Sequence, residues 1–97
     1  MANRTVQREV LPVHVRPYKS TPVFDQESVP AGLLQDHRTK PGVWGQIVVV
    51  EGTLELTMVS PPATVMLDAN TPGVVCPGQT HSVRPCGAVR FYVRFYR

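Results

Sequence analysis

Turn-forming residues recur so closely along this sequence that they leave no room for a long helix. The 97 residues include ten prolines and seven glycines, and both residue types interrupt helices or set tight turns. No helix of ten residues is predicted between them. The sequence therefore predicts an all-β protein, built from short strands that are joined by turns.

Alternation of apolar and polar residues predicts where the strands lie and which side of each is buried. The positions expected to face inward are Leu54, Leu56, Met58, Val89, Phe91, Val93 and Phe95. Strands are predicted over residues 11–15, 32–39, 44–51, 53–59, 64–67, 74–76, 81–84 and 89–97. Turns are expected at Glu51-Gly52 and at Pro85. Many short strands of this kind indicate a small β-barrel or a double-sheet jelly roll.

The length predicts a single domain. Residues 1–16 are expected to form an irregular N-terminal segment followed by an edge strand. Pro12 favours the edge of the sheet, because proline has no N–H to donate to a neighbouring strand. Residues 17–97 are expected to form the domain itself. A chain of this size buries only roughly 60–65% of its unfolded surface, so a homodimer is predicted.

Charge and hydropathy exclude several classes of function. The net charge of +3 is too dilute for a nucleic-acid partner, although it leaves an anionic small molecule open. No apolar run approaches the roughly 20 residues that cross a membrane. The polar N-terminal residues lack a signal-peptide core, so a cytoplasmic protein is expected. The two cysteines do not make a disulfide framework there.

Three histidines are the candidate metal ligands. His14 lies in the predicted edge strand, and we expect it on the surface. His37 and His81 each lie beside a proline-glycine turn, where strands of a barrel can bring two imidazoles together. Such a pair suits a divalent ion such as Zn²⁺, Ni²⁺ or Fe²⁺. On spacing alone, two isolated histidines are more often structural than ligating.

Several blocks resemble a known family. Residues 73–83 read GVVCPGQTHSV and resemble the second cupin motif, in which the histidine binds metal. The stretch from residue 37 to residue 54 resembles the first motif and its closing turn. In the same order, residues 21–24, 30–33, 37–44 and 91–95 resemble the TehB/YeaR-like domain of the cupin superfamily. The resemblance covers about residues 17–97.

This resemblance implies a bacterial cupin-type barrel that binds a small molecule, such as an oxyanion, with the help of a metal ion. It also implies a link to tellurite resistance and stress response. Two alternatives stay open, namely a metal-dependent enzyme (isomerase, lyase or oxygenase) and a metal-free interaction domain. The sequence does not decide whether the chain is an enzyme.

The sequence departs from the general cupin pattern at the metal site. Thr39 stands where that pattern has a second histidine, so a third ligand must come from elsewhere. Gln35 would share a strand face with His37 and is our candidate, with Gln46, Glu51 and Cys76 as weaker ones. The predicted pocket residues are Trp44, Gln46 and Cys76. The alternatives, a core-filling Trp44 and an inert buried Cys76 thiol, are the more common roles of these residue types.

Overall fold

The computed structural model describes residues 10–97, and β-strands dominate this part of the chain. The elements are β1 (Pro17–Ser20), β2 (Phe24–Asp25), a short 3₁₀ helix (Ala31–Leu34), β3 (Trp44–Met58), β4 (Ala63–Leu67), β5 (Gly73–Val75) and β6 (His81–Tyr96). The all-β prediction is therefore confirmed. Of the N-terminal segment predicted over residues 1–16, residues 1–9 lie outside the described residues.

Two long strands form the centre of one six-stranded sheet. β3 and β6 run antiparallel along their whole length, from the pair Trp44–Tyr96 to the pair Met58–His81. β1 and β2 add to the free edge of β6, and β4 and β5 add to the free edge of β3. Within residues 10–97 no ladder joins β1 to β4, so the sheet is not a closed barrel.

A bulge lets both halves of β3 face the same core. Ile47 and Val49 are buried before it, whereas Leu54 and Leu56 are buried after it. The strand changes register between these two halves, and one extra residue moves every later side chain to the other face. Gly52, which pairs with Val89 between two register shifts, has a φ of 84°, and a Cβ there would overlap the carbonyl oxygen of Ala88. The turn predicted at residues 51–52 is thus a bulge inside one strand.

β6 also continues where the sequence predicted a break. Pro85 pairs with Leu54 inside the strand, and the next pair along the ladder is Val89 with Gly52. Residues 86–88 therefore bulge out of the ladder. Proline is tolerated at such a bulge because the local hydrogen bonding is already interrupted. The two strands predicted at 81–84 and 89–97 are one.

Two other predicted strands are wrong. Residues 11–15 form a turn, in which the Val15 N–H donates to the Pro12 carbonyl at 3.3 Å. Residues 32–39 do not form a strand either, since the 3₁₀ helix ends at Leu34 and only His37 makes a bridge. Pro12 has no N–H to give to a ladder, and the left-handed φ of 46° at Asp36 interrupts the extended backbone of the second segment.

The core confirms the predicted inward faces. Leu54 and Phe91 have no exposed surface, and Val89 is 1% exposed. Phe24 of β2 packs its edge against Phe91 with the ring centres 5.7 Å apart. Phe95 is only partly buried and packs against the margin of the core, next to the cavity described below.

Candidate histidine site

His37 and His81 lie opposite each other in the sheet. The His37 N–H donates to the His81 carbonyl at 2.8 Å, and the His81 N–H donates to the His37 carbonyl at 2.9 Å. Residues that exchange both bonds have side chains on the same face. His37 Nδ1 and His81 Nε2 are 3.3 Å apart. The structure thus brings the two imidazoles together, while their role in metal binding stays a prediction.

The local structure explains why both side chains reach this point. His81 begins β6 on the same face as the buried Val83, so its ring points inward and is only 4% exposed. His37 follows Asp36, which has a φ of 46°. This left-handed conformation is uncommon for a residue other than glycine, and it lies between the 3₁₀ helix and the bridge to β6.

A backbone carbonyl determines which nitrogen of His81 can bind a ligand. His81 Nδ1 lies 3.1 Å from the Gln79 carbonyl oxygen. A carbonyl oxygen only accepts, so Nδ1 carries the proton and Nε2 keeps its lone pair. Nε2 is the atom that faces His37. Two nitrogens at the observed separation suit bonds of roughly 2.1 Å to one ion, and equally a hydrogen bond from His37 Nδ1 to His81 Nε2.

The surroundings favour the neutral form of both rings. Burial lowers the pKa of His81, and the nearby His37 lowers it further, while the hydrogen bond to Gln79 acts in the opposite direction. Burial also lowers the pKa of His37. Both imidazoles are therefore neutral at pH 7, which is the form that binds metal ions.

The histidines border a cavity of about 230 Å³, which we call the histidine cavity. Most of its wall is apolar, with Leu33, Ile47 and Phe91 among the lining side chains. The two imidazoles and two threonine hydroxyls are the polar side-chain groups in this wall. A mainly apolar cavity with a few polar groups is typical of a small-molecule site.

The candidate third ligand, Gln35, does not join the histidines. It is exposed and does not line the histidine cavity. The prediction assumed that Gln35 and His37 share a strand, but residues 31–34 form the 3₁₀ helix. Glu51 is also exposed and pairs with Arg90 instead. Among residues 10–97, no group of three histidine, cysteine or acidic residues could hold a metal ion.

The predicted pocket residues lie outside the cavity wall. Trp44 and Gln46 are only partly buried and alternate with the buried positions of β3, so their side chains point to the opposite face. There the Tyr96 hydroxyl donates to Gln46 Oε1 at 3.0 Å. Cys76 does not line the cavity either, and its N–H donates to Gln79 Oε1 at 3.1 Å.

Thr39 is a site residue that sequence reasoning did not select. It is 8% exposed and lines the histidine cavity. Its Oγ1 accepts from the Gly78 N–H at 3.2 Å and lies 3.4 Å from the Cys76 carbonyl, which ties it to the turn before His81. The sequence did carry a signal for Thr39, because this residue occupies the motif position at which the general cupin pattern has its second histidine.

The fold and the site define a small all-β domain with two facing histidines beside an apolar cavity. Residues 19–93 match the TehB-like domain. The chain belongs to this family. Among curated proteins, no relative matches the sequence significantly.

Solved structures share the fold. A protein from E. coli strain K12 aligns with a TM-score of 0.84 at 21% identity, over 92% of this chain and 96% of the other. TehB from Haemophilus influenzae aligns with a TM-score of 0.77 at 24% identity, over 84% of this chain. This chain spans only 31% of that TehB.

Within residues 10–97 there is no helix suited to crossing a membrane.

Proposed function

We propose that this chain is a cupin-type module that binds a small molecule in the histidine cavity, with a divalent metal ion held by His37 and His81. The observation that carries the proposal is the 3.3 Å approach of two imidazole nitrogens beside an apolar cavity. A bound ion would supply a Lewis acid that attracts an anionic or oxygen-bearing group of the ligand.

The hydrogen bonding around His81 supports this proposal. Metal-bound histidines commonly donate their second N–H to a backbone carbonyl, and His81 Nδ1 makes such a contact with Gln79. With two protein ligands from the described residues, the remaining positions of the ion would be open to water and to the small molecule. We expect weaker metal affinity than at a site with three histidines.

The biological setting is part of the proposal and follows from family membership. The TehB-like family suggests a role in tellurite resistance or a related stress response, with an oxyanion as one ligand class. The cytoplasmic location and the homodimer stay predictions from the sequence.

A metal-free binding or interaction domain is the second candidate. The same 3.3 Å contact suits an N–H···N hydrogen bond between the two rings, which needs no ion. Metal titration separates the two candidates.

The experiment is a set of melting curves for EDTA-treated protein with and without Zn²⁺ or Ni²⁺. An ion that binds only the folded state stabilises it by about 2.7 kcal/mol at a hundredfold excess over its dissociation constant. His37→Ala and His81→Ala should each lose most of the metal-induced shift, measured within each variant. The control is His14→Ala, because His14 is exposed and remote from the pair in sequence. Equal shifts in wild type and His81→Ala would contradict the metal site.

A further inference from the structure

A second cavity borders His37, and its charged side chains are all cationic. It is an open groove of about 530 Å³, and the cations are Lys19, Arg38, Lys40 and Arg97. No aspartate or glutamate lines it. We call it the basic groove. Lys19, Lys40 and Arg97 are far apart in the sequence, and the fold brings them to one place.

The cations of the basic groove have no acidic partner within residues 10–97. The ion pairs in that range are Arg84–Glu55 and Arg90–Glu51, which belong to other positions of the sheet. Arg38 Nε donates to the Thr80 hydroxyl at 2.9 Å. The Arg97 guanidinium lies 4.0 Å from the centre of the Tyr18 ring. These contacts position the guanidinium groups without neutralising them, and a groove lined by one sign of charge attracts the opposite ion.

The basic groove and the histidine cavity share part of their walls. His37, Thr39 and Phe95 line both. On one side of these residues the walls are apolar, and on the other they are cationic. A cavity of about 150 Å³ can take up benzene, so the histidine cavity, at about 230 Å³, has room for an apolar group of that size.

We propose that the two cavities together bind an organic acid, with its apolar body in the histidine cavity and its carboxylate in the basic groove. This inference rests on the part of the proposed function that makes the histidine cavity a small-molecule site. It does not require the metal ion, because the groove lysines and arginines supply the charge. It names the ligand class as an apolar carboxylate.

The test uses isothermal titration calorimetry on EDTA-treated protein with benzoate, benzyl alcohol and acetate. Benzoate carries both features, benzyl alcohol lacks the charge, and acetate lacks the apolar ring. We expect benzoate to bind at least tenfold more tightly than either of the others. The benzoate preference should shrink in high salt, because exposed charges are screened. Benzyl alcohol or acetate binding as tightly as benzoate would overturn the proposal.

Charge variants locate the carboxylate. Lys19→Gln combined with Lys40→Gln should weaken benzoate binding by about fivefold or more, since one exposed charge pair at about 4 Å is worth roughly a factor of five. Benzyl alcohol binding should not change. The matched control is Arg84→Gln with Arg90→Gln, which removes the same net charge elsewhere on the sheet.

The outcomes separate this inference from the metal proposal. Equal losses in the lysine and arginine double variants would overturn the carboxylate site and leave the metal result untouched. A metal-induced shift without benzoate binding would also overturn it. Charge-dependent benzoate binding without any metal-induced shift would support it and refute the metal site alone.

Discussion

Polar side chains meet across paired backbone segments in two contrasting regions of this sheet. His37 and His81 meet beside the apolar cavity, where His81 is 4% exposed. Arg84 and Glu55 meet on the outer face, where their side chains are 69% and 23% exposed. In both contacts the two residues are paired through the backbone, and their side chains lie at hydrogen-bond distance. Burial lowers the pKa of both histidines and so favours the neutral form that the proposed metal site needs. The Arg84–Glu55 pair lies where water screens its charges, so it should contribute little to stability.

The largest expected effect is the loss of folding stability when the buried histidine His81 is replaced. His81→Ala removes a buried ring together with its contacts to Gln79 and His37, so the free energy of unfolding should fall by about 2–4 kcal/mol. Urea denaturation without metal measures it, with His14→Ala as the control that should stay near wild type. A His81→Ala protein as stable as His14→Ala would show that burial of this ring contributes nothing.

A smaller effect should appear as pH dependence of the metal-free protein. The pKa of each histidine of the pair is lower in the folded chain than in the unfolded one. As the pH falls below about 6.5, the unfolded chain takes up protons first. The free energy of unfolding should therefore decrease from about pH 6.5 downward and level off below the folded-state pKa values. Urea denaturation across this range measures it.

The double variant His37→Ala with His81→Ala is the control for that pH dependence. It should lose the part of the slope that lies just below about pH 6.5. If the double variant keeps the full wild-type slope, other groups cause it, and the contrast between the two regions does not rest on histidine protonation.

The smallest effect is expected on the outer face. Glu55→Gln removes the partner of Arg84 while keeping its size. Because the Arg84 side chain is 69% exposed and water screens its charge, the melting temperature should change far less than in His81→Ala. Thermal melts at low and high salt test this. A loss as large as that of His81→Ala would mean that the exposed pair holds β3 to β6.

The alternating pattern predicted the buried faces well because it is a local property of a strand. Leu54, Leu56 and Phe91 were placed inward from their spacing alone, and all three are buried. The pattern could not show that residues 44–51 and 53–59 belong to one strand. A glycine with positive φ serves a turn or a bulge equally, and only the neighbouring strand β6 distinguishes them at Gly52.

The candidate site was only partly predictable. His37 and His81 could be selected from their residue type and motif, but the strand assumed for residues 32–39 put Gln35 beside His37. The left-handed Asp36 and the 3₁₀ helix remove that relation. Thr39 and the basic groove depend on contacts between residues far apart in sequence, such as Thr39 with Gly78.

The sequence by itself determined the all-β class, because prolines and glycines are frequent. It determined the inward faces of the strands, because apolar residues alternate with a period of two. It also singled out His37 and His81 as candidate site residues, because histidine is rare in this chain. Only the tertiary structure decided that β3 and β6 are continuous, that the two rings lie 3.3 Å apart, and that four cations share one groove. The reason is that each of these depends on strand register, which long-range pairing and bulges set and which no local pattern contains.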